Sequence, residues 1–236
     1  PMTASNAGLP AVPTALTLAD PQVTADLRTF VVRARAADDG AVRLQAVGSV
    51  LAAYVCVLRP RALGEDIPTV LGMRTMPLAE PAQLDTVVSL ASVADRLARM
   101  DGADTVLPVP PMTVTESWTG VGAPRSGWER GPDVPFKLLE QAAHRGIREV
   151  AALVPASSGA PVVSTARGAV WGQRLPDTEA VIPAGAAFAA LTLGFLPTAG
   201  DSTSDGTAAT FSCGRWTRLS MPRGHVLVRS ASVLGF

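Results

Sequence analysis

The sequence predicts an α+β fold: an antiparallel, hairpin-rich N-terminal part packed with helices, then a more helical C-terminal part that ends in a β-hairpin. Three observations predict it. Residues 29–47 alternate in hydropathy around Asp39-Gly40, Ser92-Val-Ala-Asp95 has the form of a helix-opening capping box, and residues 216–230 read as two short strands about a turn. The expected organisation is an extended or disordered arm over 1–25, an α+β part over 26–108 and a helical part over 109–236, with one continuous domain as the alternative.

The arm carries Pro10, Pro13 and Pro21 and has no basic residue before Arg28, so it lacks the charged first region of a signal peptide. In the first expected hairpin, Phe30, Val32 and Ala34 alternate with Val31, Arg33 and Arg35 before the turn. Val42, Leu44 and Ala46 alternate with Arg43 and Gln45 after it. Ser49 then caps a short helix in which Val50, Leu51, Tyr54, Val55 and Leu58 share a face, although a strand over 50–58 stays open. Residues 69–76 and 85–90 read as strands, and 93–100 as a helix. Aligned on Ser49 and Ser92, Leu44 matches Val87, Val47 matches Leu90 and Tyr54 matches Leu97, which suggests a strand, strand, helix repeat.

From Asp104 the chain turns rich in Pro, Gly and Trp, and a strand over 113–118 is followed by a long loop, which compact domains rarely keep without a use. A helix follows over 135–145, with Asp133 to cap it and Gly146 to end it, then a short apolar element over 147–154 and a helix over 162–171. Residues 180–200 carry no charge. Pro183, Pro197 and a high content of Ala and Gly make a buried helix over 184–195 a better reading than a membrane span. A polar loop over 198–210 leads to the closing hairpin.

Composition limits the chemistry. Twenty basic residues, nineteen of them Arg, balance twenty acidic ones in 236 residues, so no global charge draws the chain to nucleic acid or a membrane. One Lys, one Tyr, one Asn and three Ile beside abundant Ala, Gly, Pro and Arg reflect GC-rich coding. Histidine and cysteine codons are not disfavoured in that way. Two His and two Cys, in no ligand spacing, therefore argue against metal, thiol or histidine chemistry, and no cofactor and no metal are expected. Cys56, in an apolar run, and Cys213 suit structural roles in a reducing cytoplasm. No P-loop, HExxH or GxSxG occurs, and the glycines at 120, 122 and 127 have the wrong spacing for a dinucleotide loop.

Two surfaces remain as candidates. Trp118, Arg125, Trp128 and Arg130 bring two aromatic faces and two guanidinium groups into thirteen residues, which suits a planar or anionic ligand or a protein partner. The bland alternative is two core tryptophans with Glu116 and Glu129 neutralising the arginines. In the closing hairpin, a turn over 221–224 puts Trp216, Arg218, His225 and Arg229 on one face, which can touch phosphates or bases or simply be solvated.

The elements over 136–146, 147–154 and 162–172, followed by a hairpin, resemble the winged-helix family in their order. That resemblance implies nucleic-acid contact through Ser164, Thr165, Arg167 and Arg174. Residues 59–78 (RPRALGEDIPTVLGMRTMPL) and 214–230 (GRWTRLSMPRGHVLVRS) look similar to uncharacterised proteins of high-GC actinobacteria, a resemblance that implies no activity. The function expected from the sequence is a non-enzymatic ligand- or protein-binding module centred on the 118–130 loop. A winged-helix-like nucleic-acid regulator and an enzyme of undetermined class, its carboxylates and arginines meeting in a pocket, are the alternatives.

Overall fold

The computed structural model describes residues 13–62, 64–198 and 205–231. In chain order they form β1 (Ala15–Thr17), α1 (Pro21–Ala37), β2 (Ala41–Leu58), β3 (Thr69–Ser89), α2 (Leu90–Arg99), β4 (Val106–Pro108), β5 (Glu129–Arg130), β6 (Val134–Pro135), α3 (Phe136–Leu153), α4 (Ala160–Trp171), α5 (Ala184–Thr192), β7 (Thr207–Cys213), β8 (Trp216–Met221) and β9 (Gly224–Arg229). Of the stretch expected as an arm, residues 1–12 lie outside the described residues, Ala15–Thr17 pair with β4, and Pro21 opens α1.

The first expected hairpin is corrected to a helix and a strand. Residues 29–36 belong to α1, which buries Thr24, Leu27, Phe30, Val31 and Ala34 at spacings of three and one and leaves Val32 61% exposed. That is the helical period, and the run of β-branched residues mimicked alternation. Asp20 accepts a hydrogen bond from the Val23 N–H at 2.9 Å and Pro21 takes the first turn, so the start signals lie nine residues upstream of the misread strand.

β2 and β3 form one long antiparallel hairpin, from Ala41 opposite Ser89 to Leu58 opposite Val70. Residues 50–58 are thus strand. The repeat does not hold, because its second helix is α2 while its first lies within β2. The register shifts between Gly48 and Val50, where Gly48 has φ of 59°, and the shift reverses which residues point inward. Before it Val42, Leu44 and Ala46 enter the main core. After it Leu51, Ala53, Val55 and Val57 do. Both halves of β2 therefore present their apolar side to the same face, under the helices.

The far half of this hairpin is extended by the C-terminal strands. The order β2-β3-β9-β8-β7-β5 makes a sheet that is antiparallel throughout, with β6 also paired to β7. The expected contrast of a hairpin-rich N-terminal part with a more helical C-terminal part is therefore corrected to one sheet that both parts build. Each part donates strands to one sheet, because β3 finds its second partner in β9.

Among the described residues α1 to α5 each contribute to one continuous core on one side of that sheet. α5 is apolar on every side, and its Gly185, Ala186, Ala187, Phe188, Ala189 and Ala190 are buried beneath α3 and α4. Among the described residues no helix is long and apolar enough to cross a membrane. α3 runs unbroken through Gly146, because that glycine receives the ring of Trp171. A Cβ there would lie 2.2 Å from the ring, so the residue read as a stop serves packing. A smaller cluster of Ala41, Cys56, Leu71, Trp118, Trp216 and Leu227 covers the opposite face.

Candidate functional site

Alternation in β2 and β3 places Arg43, Gln45, Tyr54, Leu71 and Met73 on the face away from the helices, and the hairpin β8–β9 adds Arg218 and Leu227 beside them. The 118–128 loop folds over these residues and encloses a cavity of about 380 Å³, walled by Trp118, Trp128 and Tyr54 and carrying Arg43, Arg125 and Arg218. The loop is closed on itself by Trp128, whose Nε1–H donates to the Pro124 carbonyl at 2.9 Å, with Gly127 at a φ of 79°.

The three arginines differ in their engagement. Arg43 donates from Nε and Nη2 to the two carboxylate oxygens of Asp85 at 2.7 Å each, and Gln45 donates to the same carboxylate at 3.1 Å. Those bonds hold the Asp85 carboxyl below its ordinary range, and burial pushes the Tyr54 phenol up. The Arg218 guanidinium lies 4.9 Å from the Trp128 ring centre and 4.6 Å from that of Phe211, and its Nε is buried with no hydrogen-bond partner. Arg125 is exposed at the rim. Neither Arg125 nor Arg218 makes an ion pair among the described residues, and no carboxylate lines the cavity.

The structure thus gathers Trp118, Arg125 and Trp128 but leaves Arg130 outside, on β5, where it pairs with Asp133 at 2.5 Å and lies 5.4 Å from the centre of the Phe211 ring. Glu116, expected as a neutraliser of that loop, pairs instead with Arg59 at 3.3 Å. The β8–β9 register is the one the turn implies, with Trp216 opposite Arg229, Arg218 opposite Leu227 and Ser220 opposite His225. Trp216 is buried, with Arg229 5.8 Å from its ring centre. His225 Nδ1 lies 3.0 Å from the Ser220 hydroxyl, and burial together with Arg218 holds the imidazole below its ordinary pKa. Arg43, Gln45 and Tyr54 carried no signal in the sequence beyond their alternation in β2.

A second cavity, of about 670 Å³, lies between the β2–β3 connection and α4. Here Asp38 stands 3.7 Å from both Arg59 and Arg61. Arg167 donates to the Val57 carbonyl at 3.2 Å and lies 5.1 Å from the Phe188 ring centre, burial depressing its pKa. Ser164, Thr165 and Arg167 face this cavity rather than an open groove, and Arg174 is exposed beyond the helix in an isolated bridge to Pro183. Burial pushes the Cys56 thiol up to about 11, so it stays protonated.

Residues 12–119 match the model of one domain of unknown function (DUF8010), and residues 123–233 that of another (DUF8185). Among curated proteins, none matches the sequence of this chain. Among solved structures, a provisionally assigned DNA polymerase III beta subunit from Eubacterium rectale is similar over 95% of this chain and 66% of its own, at 8% identity and a TM-score of 0.53. The DnaN sliding clamp of Bartonella birtlesii bound to griselimycin (10% identity, 94% and 66% covered, TM-score 0.49) and the Helicobacter pylori beta clamp bound to a DNA ligase peptide (7%, 94% and 68%, 0.49) are also similar. The chain spans just under two thirds of the length of the first of these structures.

That fold is not the one expected from the sequence, and the stand-alone binding module and the winged-helix regulator give way to it. The winged-helix order fails in detail as well, since 136–153 is one helix and the supposed wing is two inner strands of the large sheet. The two halves of the chain match the models of two domains of unknown function, on an α+β fold similar to that of a DNA polymerase III beta subunit.

Proposed function

We propose that the chain is a clamp-like subunit that associates edge to edge around duplex nucleic acid, holds it against the helix side and leaves the outer face to protein partners. The observation that carries this reading is the separation of charge on such a fold. α1 has three arginines against one aspartate, α2 two against one, α3 three cations against two carboxylates, and α4 a single arginine. The helices thus hold a surplus of five positive charges, and the rest of this neutral chain a matching deficit. Exposed Arg33, Arg99, Arg145 and Arg148 suit phosphate contact.

The free edge of β2 supports the association. Among the described residues β2 pairs on one side only, with β3, and Val47 and Val50 are about half exposed at its centre. A long edge strand with exposed apolar residues is a template for another strand. The cavity beneath the 118–128 loop, with Trp118, Arg125 and Trp128, is the place we assign to protein partners.

The test uses closed circular duplex DNA. The chain is expected to stay on the circles through a salt wash and to leave once they are cut, and Arg99→Glu with Arg145→Glu and Arg148→Glu is expected to abolish retention. Val47→Lys with Val50→Lys is expected to reduce the mass read by light scattering to that of one chain. Failure to bind either circular or linear duplex at low salt overturns the reading.

A further inference from the structure

The cavity on the outer face has a charge and shape that select among partners. This inference rests on assigning that cavity to a protein partner. Asp85 bonds Arg43 and also feels the charge of Arg125, so one carboxylate stands against three guanidinium groups and the site keeps a net positive charge among the described residues. Arg218 lines the cavity with its guanidinium held over two aromatic rings and in no ion pair among the described residues, so an incoming carboxylate meets a pre-positioned cation. Beside these groups the lining has an apolar portion, formed by the largely buried side chains of Trp118, Leu71 and Leu227.

We infer that this cavity binds a partner protein's segment that carries a carboxylate next to an aromatic or branched apolar side chain, the carboxylate on Arg218 and Arg125 and the apolar group against Trp118, Leu71 and Leu227. A volume of about 380 Å³ holds one or two side chains, not a folded surface, so the partner presents an extended segment. Recognition is by charge-assisted hydrogen bonding together with burial of one ring, and an amide in place of the carboxylate loses the first while keeping the second. A single-stranded nucleic acid, with phosphate on the same arginines and a base on Trp128, is the competing occupant.

The experiment pans random displayed heptapeptides against the whole chain, with counter-selection on Trp128→Ala. Enriched peptides are then synthesised with a fluorophore and measured by polarisation. Enrichment of Asp or Glu next to Phe, Trp, Tyr or Leu is expected, with at least tenfold weaker binding for the Asn or Gln peptide and for Arg218→Gln. Arg125→Gln, at an exposed position, is expected to weaken binding severalfold without changing the thermal midpoint, which keeps the test valid should Arg218→Gln unfold the chain. Enriched peptides without an acid, equal binding by acid and amide peptides, or displacement of the acidic peptide by a submicromolar oligonucleotide each overturn the inference. Retention on circular DNA is unaffected by Arg125→Gln, so failure here and failure of the clamp reading are separate results.

Discussion

On the helix side of the sheet, residues from α1 to α5 close a dry, continuous core in which Trp171 stacks on Phe188 at 4.6 Å and Phe195 fills the space left by Gly224. On the outer side the same strands carry arginines, a tyrosine and a glutamine, roofed by a loop that encloses a cavity instead of filling it. The inner face is apolar and filled, which is how a fold gains stability. The outer face holds Arg218 over two aromatic rings beside an open hollow, which adds little stability and is available for recognition.

The sharpest way to break that contrast is to empty the inner face. Trp171→Ala removes a ring with 1% exposure that is locked against Gly146, and a loss of about 3–5 kcal/mol is expected from urea unfolding. Gly72→Leu attacks the same face by overfilling, since even a Cβ there lies 2.0 Å from Leu193 Cδ1, and about 1–3 kcal/mol is expected to be lost. If the outer face is a roof over a cavity, Trp128→Ala costs far less, about 1 kcal/mol for the lost attraction to Arg218. A cost near that of Trp171→Ala would show that the two faces are built alike.

The smallest expected effect is a pH dependence confined to the outer face. Burial and Arg218 lower the folded-state pKa of His225, so the unfolded chain takes up that proton more readily. The contribution is present in full above the ordinary histidine pKa of about 6.5 and is lost as pH falls below it. Unfolding midpoints at pH 7.5 and 5.5 are expected to differ more for the native chain than for His225→Gln, whereas Trp171→Phe should leave that difference unchanged.

Legibility in the sequence followed the range of the contacts. Helix α4 and the β8–β9 register rest on neighbours within about a dozen residues, and local spacing carries them. Residues 29–36 were misread because Thr29, Val31 and Val32 imitate a strand, although Asp20 and Pro21 already marked a helix start. The loop half of the outer cavity, Trp118, Arg125 and Trp128, stands out within one segment. Its floor does not, because Arg43, Tyr54 and Arg218 meet only after β2 pairs with β3, β3 with β9 and β9 with β8. No pattern in the sequence indicates that residues near 70 will lie beside residues near 227.

That last pairing has a consequence for how the protein is made. β3 can be finished on one side as soon as its hairpin with β2 has emerged from the ribosome, but its other side waits for β9, more than a hundred residues further along the chain. At usual elongation rates the wait is roughly ten to thirty seconds, during which Leu71 and Val70 lie on a bare edge. The nascent chain therefore carries for that period a long hairpin able to join a neighbour's, and a truncation before residue 224 leaves it in that state permanently.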